Sequence, residues 1–198
     1  MPITINGSGT ITGISAGGLP DGSVVADDLA SSLDLTGKTV TLPSGTGGKI
    51  LQVKYTEKTD TFSLTTANTW TDVTDMSLSI TPSSTSNHVL VSVDWAFSGN
   101  GNYTQFRVLR GSDVIYKGDA SGSDRQGTGA YITNTIITAS TFRDSVFFRD
   151  SPSSTSAVTY KLQMLNDGET SYINRGYTTN ANTRSRTASS ITLMEVAG

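Results

Sequence analysis

Residues suited to acid–base or nucleophilic chemistry are few in this chain. Its 198 residues include one histidine, His88, and no cysteine, so a Cys–His pair or a thiolate metal site cannot form. Asp119 and Asp124 share a glycine-rich segment, and Asp72 and Asp75 flank a predicted turn. Two carboxylates about 5–10 Å apart could hydrolyse a polysaccharide, and loop acids could hold calcium, but acids in such segments commonly form solvated turns. We expect no catalytic residue, no metal site and no cofactor.

Aromatic side chains near polar and cationic ones offer a second kind of chemistry, the binding of sugars. A tyrosine ring can pack on the apolar face of a sugar, while Arg or Asn, such as Asn174, hydrogen-bonds its hydroxyl groups. Guanidinium groups in two loop segments, 118–130 and 178–190, would attract an anionic polysaccharide. The candidate glycan-binding residues are Tyr103, Tyr131, Tyr172, Arg175, Tyr177 and Arg184. The alternative for each tyrosine is packing inside the protein or between subunits.

The elements that carry these residues are predicted to be strands. After residue 48, apolar residues alternate with polar ones, as in the 89–97 stretch, and turn clusters recur every eight to twelve residues. This pattern predicts about ten or eleven strands, with Trp70 and Trp95 expected in the core. No helical stretch of ten residues interrupts them, so a parallel β/α architecture is excluded. The fold class is all-β, with residues 48–198 forming an antiparallel jelly-roll-like sandwich as a head domain.

The first 47 residues have a different character. They are rich in glycine and sparsely apolar, and they include a Pro-Asp-Gly turn at 20–22, a possible short helix over 25–33 and a short strand over 38–42. An ordered arm of this length would lose about 1–2 kcal/mol of backbone entropy per residue, which its own few apolar side chains cannot offset. We therefore predict an extended stem that is held by sister chains or a docking partner. The predicted oligomerisation and docking residues are Ile3, Ile5, Ile11, Ile14, Leu19 and Leu29.

Charge excludes some classes of partner. The net charge is −3, and the stem accounts for all of it with four aspartates against one lysine. The remainder is balanced and has no basic run, so we expect no nucleic-acid partner. No apolar run approaches the eighteen residues of a membrane span, and no signal-like segment opens the chain, so we expect no membrane insertion.

The opening TINGSGTITGISAGGLPDGSVVADDLA resembles the N-terminal segments of tailed-bacteriophage tail fibres and other virion structural proteins. The later part is similar to the β-sandwich that follows such segments, through motifs such as Leu109-Arg110-Gly111-Ser112, Asp150-Ser151-Pro152 and Ile191-Thr192-Leu193-Met194-Glu195-Val196. The resemblance implies a structural component of a phage particle that forms a homotrimer. It also implies that the N-terminal arm contacts other virion proteins and that the head faces outward. No catalytic residues come with this family.

These observations lead to one functional hypothesis with two alternatives. The first is a non-enzymatic trimeric tail fibre or receptor-binding protein on the virion, whose head contacts the host surface, including its polysaccharide. The runner-up is a capsid decoration or cement protein. A polysaccharide-degrading enzyme is the third.

Overall fold

The computed structural model describes residues 4–5, 11–12, 49–99, 103–132, 141–178 and 185–198. The chain divides into two compact units, Met1–Thr46 and Gly47–Gly198. In the first unit, strands β1 (Thr4–Ile5) and β2 (Ile11–Thr12) pair antiparallel, with Ile5 opposite Ile11. The helix and strand predicted over 25–33 and 38–42 lie outside the described residues.

The described part of the second unit consists of strands and their connections. Its strands are β3 (Ile50–Lys58), β4 (Phe62–Leu64), β5 (Thr71–Ile80), β6 (His88–Gly99), β7 (Tyr103–Arg110), β8 (Asp113–Ile115), β9 (Gly129–Ile132), β10 (Phe142–Asp150), β11 (Val158–Asn166), β12 (Ser171–Ile173) and β13 (Ser189–Val196). The predicted all-β class is therefore confirmed for this part of the chain. Strands β8 and β12 end at Ile115 and Ile173, because the next residues, Tyr116 and Asn174, adopt positive φ angles of 48° and 62° that break the extended backbone.

The strands form two antiparallel sheets. Sheet 1 has the order β10–β6–β13–β3, and β12 with β4 continues it along the far end of β6. Sheet 2 has the order β5–β11–β7, with β8 and β9 side by side on the outer edge of β7. The chain crosses repeatedly between the sheets, and this order is that of a jelly roll. The β7–β8 hairpin is closed by a two-residue turn, in which Gly111 takes a φ of +59° that other residues rarely adopt.

The core lies between the two sheets. Period-two alternation in β13 turns Ile191 and Leu193 inward, where both are fully buried. Trp95 of β6 is fully buried, as predicted, and its ring centroid lies 5.2 Å from that of Phe106 on β7. Apolar contact between facing strands therefore supplies most of the stability of the head.

Polar networks tie the sheets together at one end. Arg110 of β7 donates to both carboxylate oxygens of Asp150 on β10, at 2.9 and 3.0 Å. The hydroxyl of Tyr160 on β11 donates to the same carboxylate at 2.7 Å. Burial, together with this bond to an anion, raises the pKa of Tyr160 far above its ordinary value. His88 lies nearby on β6, with its Nδ1 2.9 Å from the Ser151 hydroxyl.

Candidate functional site

Three of the predicted glycan-binding residues lie together on and after β12. The Tyr172 and Tyr177 rings meet edge to face at 5.7 Å, and the guanidinium carbon of Arg175 lies 4.1 Å from the Tyr172 ring centroid. Arg175 also donates to the carbonyls of Gly176 and Tyr177, each at 3.0 Å. We call Tyr172, Arg175 and Tyr177 the Tyr172 cluster. Its three side chains are half-buried.

The buried Asn174 fixes the backbone of this cluster. Its side-chain amide donates to the carbonyls of Lys58 and Asp60 at 2.7 and 3.0 Å, and it accepts a 2.7 Å bond from Ser189. With these bonds made, Asn174 holds the turn after β12 against β3. The sequence-based expectation that Asn174 binds sugar hydroxyls is therefore wrong, because its polar atoms face the protein interior.

Tyr103 belongs to a different surface. It starts β7 in sheet 2, whereas Tyr172 lies in sheet 1. Their neighbours Thr104 and Ser171 point inward, and these hydroxyls meet between the sheets at 2.8 Å. Since side chains alternate along a strand, Tyr103 and Tyr172 face away from each other on opposite sides of the sandwich. The predicted tyrosines therefore do not form one site.

Around Tyr103, three segments of the chain converge. Its hydroxyl donates to Asn68, in the connection between β4 and β5, at 2.9 Å. Arg125, in the connection between β8 and β9, donates to the Tyr103 hydroxyl at 2.9 Å and to Asn68 at 3.2 Å. The guanidinium group of Arg125 is thereby held over the outer face of sheet 2, while its side chain stays exposed.

Beside Arg125 lies a recess of about 210 Å³ on the outer face of sheet 2. We call it the Trp70 recess, and its lining residues are Trp70, Arg107, Val114, Lys117, Arg125 and Gln126. Three of these side chains are cationic and none is a carboxylate. A second recess of about 230 Å³ shares Arg125 and Gln126 and includes Asp119 in its lining.

Arg107 is fixed at the floor of the Trp70 recess. Its guanidinium carbon lies 4.3 Å from the Trp70 ring centroid, and its Nε donates to Gln163 at 2.7 Å. Burial lowers the pKa of Arg107 from its ordinary value, although the charge of Asp72 acts in the opposite direction. The contact with Trp70 also corrects the expectation that Trp70 is core. Its indole is half-buried on the outer surface beneath an arginine.

Asp72 completes the support of Arg107 from β5. Lys161 and Gln163 on β11 donate to its carboxylate at 2.8 and 2.5 Å. Burial raises the pKa of Asp72, but these two bonds and the charges of Lys161 and Arg107 outweigh it and hold the pKa below its usual range. Asp72 is thus an ionised, structural partner of the recess.

The recess combines an indole, an amide and three cations on one shallow surface. Such a set can bind an anionic ligand through charge-assisted hydrogen bonds, while the aromatic edge and Val114 contact an apolar ring face. Among the described residues, no group of three or more His, Cys, Asp or Glu side chains could hold a metal ion.

No protein-family model and no curated protein matches this sequence. The phage family named from the opening residues therefore stays a prediction. In the part of the chain that the structure describes, no helix is long and apolar enough to cross a membrane.

The remaining candidates are placed as follows. Tyr131 lies in β9, opposite Thr104 of β7, and its side chain is outside the described residues. Arg184 and the docking candidates Ile3, Ile14, Leu19 and Leu29 are also outside them. Ile5 and Ile11 are the partners in the β1–β2 pair.

Sequence reasoning missed Trp70, Arg107 and Lys117 as members of one site. Arg107 gave a local signal. It alternates with the inward residues Thr104, Phe106 and Val108 along β7, so its side chain must face outward. Nothing local links it to Trp70, which lies 37 positions earlier in the chain. Their contact exists because β5, β11 and β7 are neighbours in sheet 2.

Proposed function

We propose that this chain is a non-enzymatic structural protein of a tailed-phage particle, a homotrimeric tail fibre or receptor-binding protein. In this proposal its head binds an anionic polysaccharide of the host surface. The observation that carries the binding role is the convergence of Arg107, Lys117 and Arg125 beside Trp70, with no carboxylate in the lining. The resemblance of the opening segment supports the assignment to a phage particle, and the proposed stem supports the trimeric state.

The chemistry of the recess selects for negative charge. Lys117 and Arg125 are exposed and can reach a carboxylate or sulfate group, whereas Arg107 is positioned by Gln163 and Trp70. A hydrogen bond to a charged group contributes about 1.5–3 kcal/mol. A neutral polysaccharide would forgo these bonds. Because the ligand site is on the surface, binding should also weaken as salt is added.

A binding comparison with the full chain tests this role. The probes are alginate, which is a polymer of uronic acids, and neutral dextran, each titrated calorimetrically. We expect alginate to bind in preference to dextran, and Arg125→Gln combined with Lys117→Gln to weaken alginate binding at least tenfold. Lys49→Gln, an exposed lysine outside the recess, is the matched control and should change binding less than twofold.

Other outcomes would overturn the assignment. Equal binding by the double variant and the unsubstituted protein would remove the Trp70 recess from the proposal. Loss of binding in Tyr172→Ala alone would move the site to the Tyr172 cluster on sheet 1. Release of new reducing ends from alginate would favour the third alternative, a degrading enzyme.

A further inference from the structure

The outer face of sheet 1 carries several large apolar side chains that the described residues leave exposed. Pairing across β3, β13, β6 and β10 aligns its outward side chains in rows. One row is Val53, Met194, Leu90 and Arg149, and the next is Tyr55, Thr192, Ser92 and Phe147. We call the outward side chains of these two rows, together with Ile50, Leu51 and Glu57, the sheet 1 face.

Five large apolar side chains of this face are exposed. The exposed fractions are 51% for Ile50, 40% for Leu51, 56% for Val53, 59% for Tyr55 and 59% for Phe147. With about 150–250 Å² for a large side chain, these fractions amount to roughly 400–660 Å² of mainly apolar surface. A standard interface buries about 800 Å² per partner, of which about 57–65% is apolar. In a contact between the β3 edge of one head and the β10 edge of the next, these side chains would together supply roughly half of the apolar area of such an interface, counted over both partners.

The charges at the two edges of the face are opposite in sign. Glu57 lies on β3, where the only described hydrogen bond to its carboxylate comes from Tyr55 at 3.1 Å. Arg149 lies on β10 at the other edge and forms no ion pair with any described residue. The neighbouring Arg143 is already paired with Asp94. A face with an unpaired cation at one edge and an anion at the other is complementary to a copy of itself.

We propose that the sheet 1 face is the contact between heads, with the β3 edge of one copy packed on the β10 edge of the next. Tyr55 and Glu57 of one head would then meet Phe147 and Arg149 of its neighbour. A head-to-tail contact closes into a ring when the rotation between neighbouring copies adds up to a full turn, and otherwise continues as an open filament. The three-fold ring rests on the proposed homotrimer, whereas the face and its partner, a second copy of this chain, are argued from the exposed side chains alone.

Cysteine cross-linking tests the contact directly, because the chain has no cysteine of its own. The test protein is the full chain with Glu57→Cys and Arg149→Cys. These positions lie on the outer strands of a four-stranded stretch, about 14 Å or more apart at ~4.8 Å per strand, which is too far for a disulfide within one head. Mild oxidation should give a covalent trimer on a non-reducing gel, and each single variant should stay largely uncoupled.

A matched pair on the opposite sheet controls for random collision. Ser77→Cys with Asp113→Cys places two exposed thiols on β5 and β8, at the two edges of sheet 2. This pair should give no ladder of covalent oligomers. A second variant, Phe147→Glu, should weaken association of the full chain at least tenfold in sedimentation equilibrium while its far-ultraviolet circular dichroism and melting stay close to those of the unsubstituted protein.

The outcomes separate this proposal from the proposed function. A full chain that is trimeric in solution but gives no disulfide between the introduced thiols would show that another segment holds the trimer, and would overturn the head contact. A covalent dimer would overturn the three-fold ring. The alginate titration is independent of all these results. A failure of alginate binding therefore does not decide the head contact, and a failure of the head contact does not decide alginate binding.

Discussion

Glu195 shows how one buried carboxylate fixes a connection of the head. Its side chain is buried at the end of β13, where Gln52, Asn87 and both the amide and hydroxyl of Ser83 donate to it at 2.6–2.8 Å. Burial raises the pKa of Glu195, but these bonds to the charged form outweigh it and set the pKa at about 2. The carboxylate therefore ties the connection between β5 and β6 to sheet 1.

We predict a pH-dependent loss of stability that belongs to Glu195. Its ordinary pKa is 4.5 and its folded pKa is about 2, so its contribution is complete above about pH 5 and is lost as the pH falls from 5 towards 2. A shift of this size corresponds to about 3 kcal/mol. Glu195→Gln should unfold more easily at pH 7, because the NH₂ group of the new amide would face the donor groups of Gln52, Ser83 or Asn87. The variant should also lose less stability between pH 7 and pH 3.

Thermal melting at the two pH values measures this effect. Glu169→Gln removes an exposed glutamate and is the control. Its free energy of unfolding is expected to stay within about 0.5 kcal/mol of that of the unsubstituted protein at both pH values. A Glu195→Gln protein with unchanged stability at pH 7 and an unchanged pH response would contradict the role assigned to this carboxylate.

At the scale of elements, the stem and the edge strands of the head pose the same physical problem. The β1–β2 pair consists of two short strands, and a two-stranded pair alone is marginal in water. Strands β3 and β10 are the edges of sheet 1 and carry exposed apolar side chains. Both features are stabilised when a second chain covers them, which is the common basis of the proposed stem and of the proposed contact between heads.

The stem hypothesis predicts that a charge at its paired isoleucines weakens the oligomer without unfolding the head. Ile5→Asp or Ile11→Asp should lower trimer stability at least tenfold in sedimentation equilibrium, because an ionised carboxylate resists burial between chains. The melting transition of the head should stay unchanged. Ser8→Asp introduces the same charge at a polar position of the stem and serves as the control. Normal trimers in the isoleucine variants would refute the stem.

At the scale of the whole molecule, the jelly roll gives the two proposed binding surfaces separate positions. The Trp70 recess lies on the outer face of sheet 2, and the sheet 1 face lies on the outer face of the opposite sheet. One head can therefore contact its neighbours through one sheet and a ligand through the other. This arrangement suits a receptor-binding fibre. A capsid decoration protein would also use the sheet 1 face.

Copy number distinguishes these two roles. We expect quantitative mass spectrometry of purified particles to give a low multiple of three copies of this chain for each twelve-subunit portal. Such a number would agree with a tail fibre. Several hundred copies per particle would instead identify a capsid protein, and would remove the host polysaccharide as the reason for the Trp70 recess.

The sequence by itself determined the strands and most of the core. Period-two alternation is a local property, so the inward positions of Trp95, Ile191 and Leu193 can be read from their own segments. The boundary near residue 47 also follows from composition alone, and the stem stays a prediction. The Tyr172 cluster was predictable for the same reason, because its members are within six residues of one another.

Only the tertiary structure decided which surfaces these strands create. Trp70 meets Arg107 because two intervening strand pairings place β5 and β7 in one sheet, and Tyr103 is separated from Tyr172 because Thr104 and Ser171 face each other across the core. The apolar sheet 1 face likewise depends on the register of four strands that are distant in the chain. Strand neighbours and register are set by long-range packing, which no single segment of the sequence encodes.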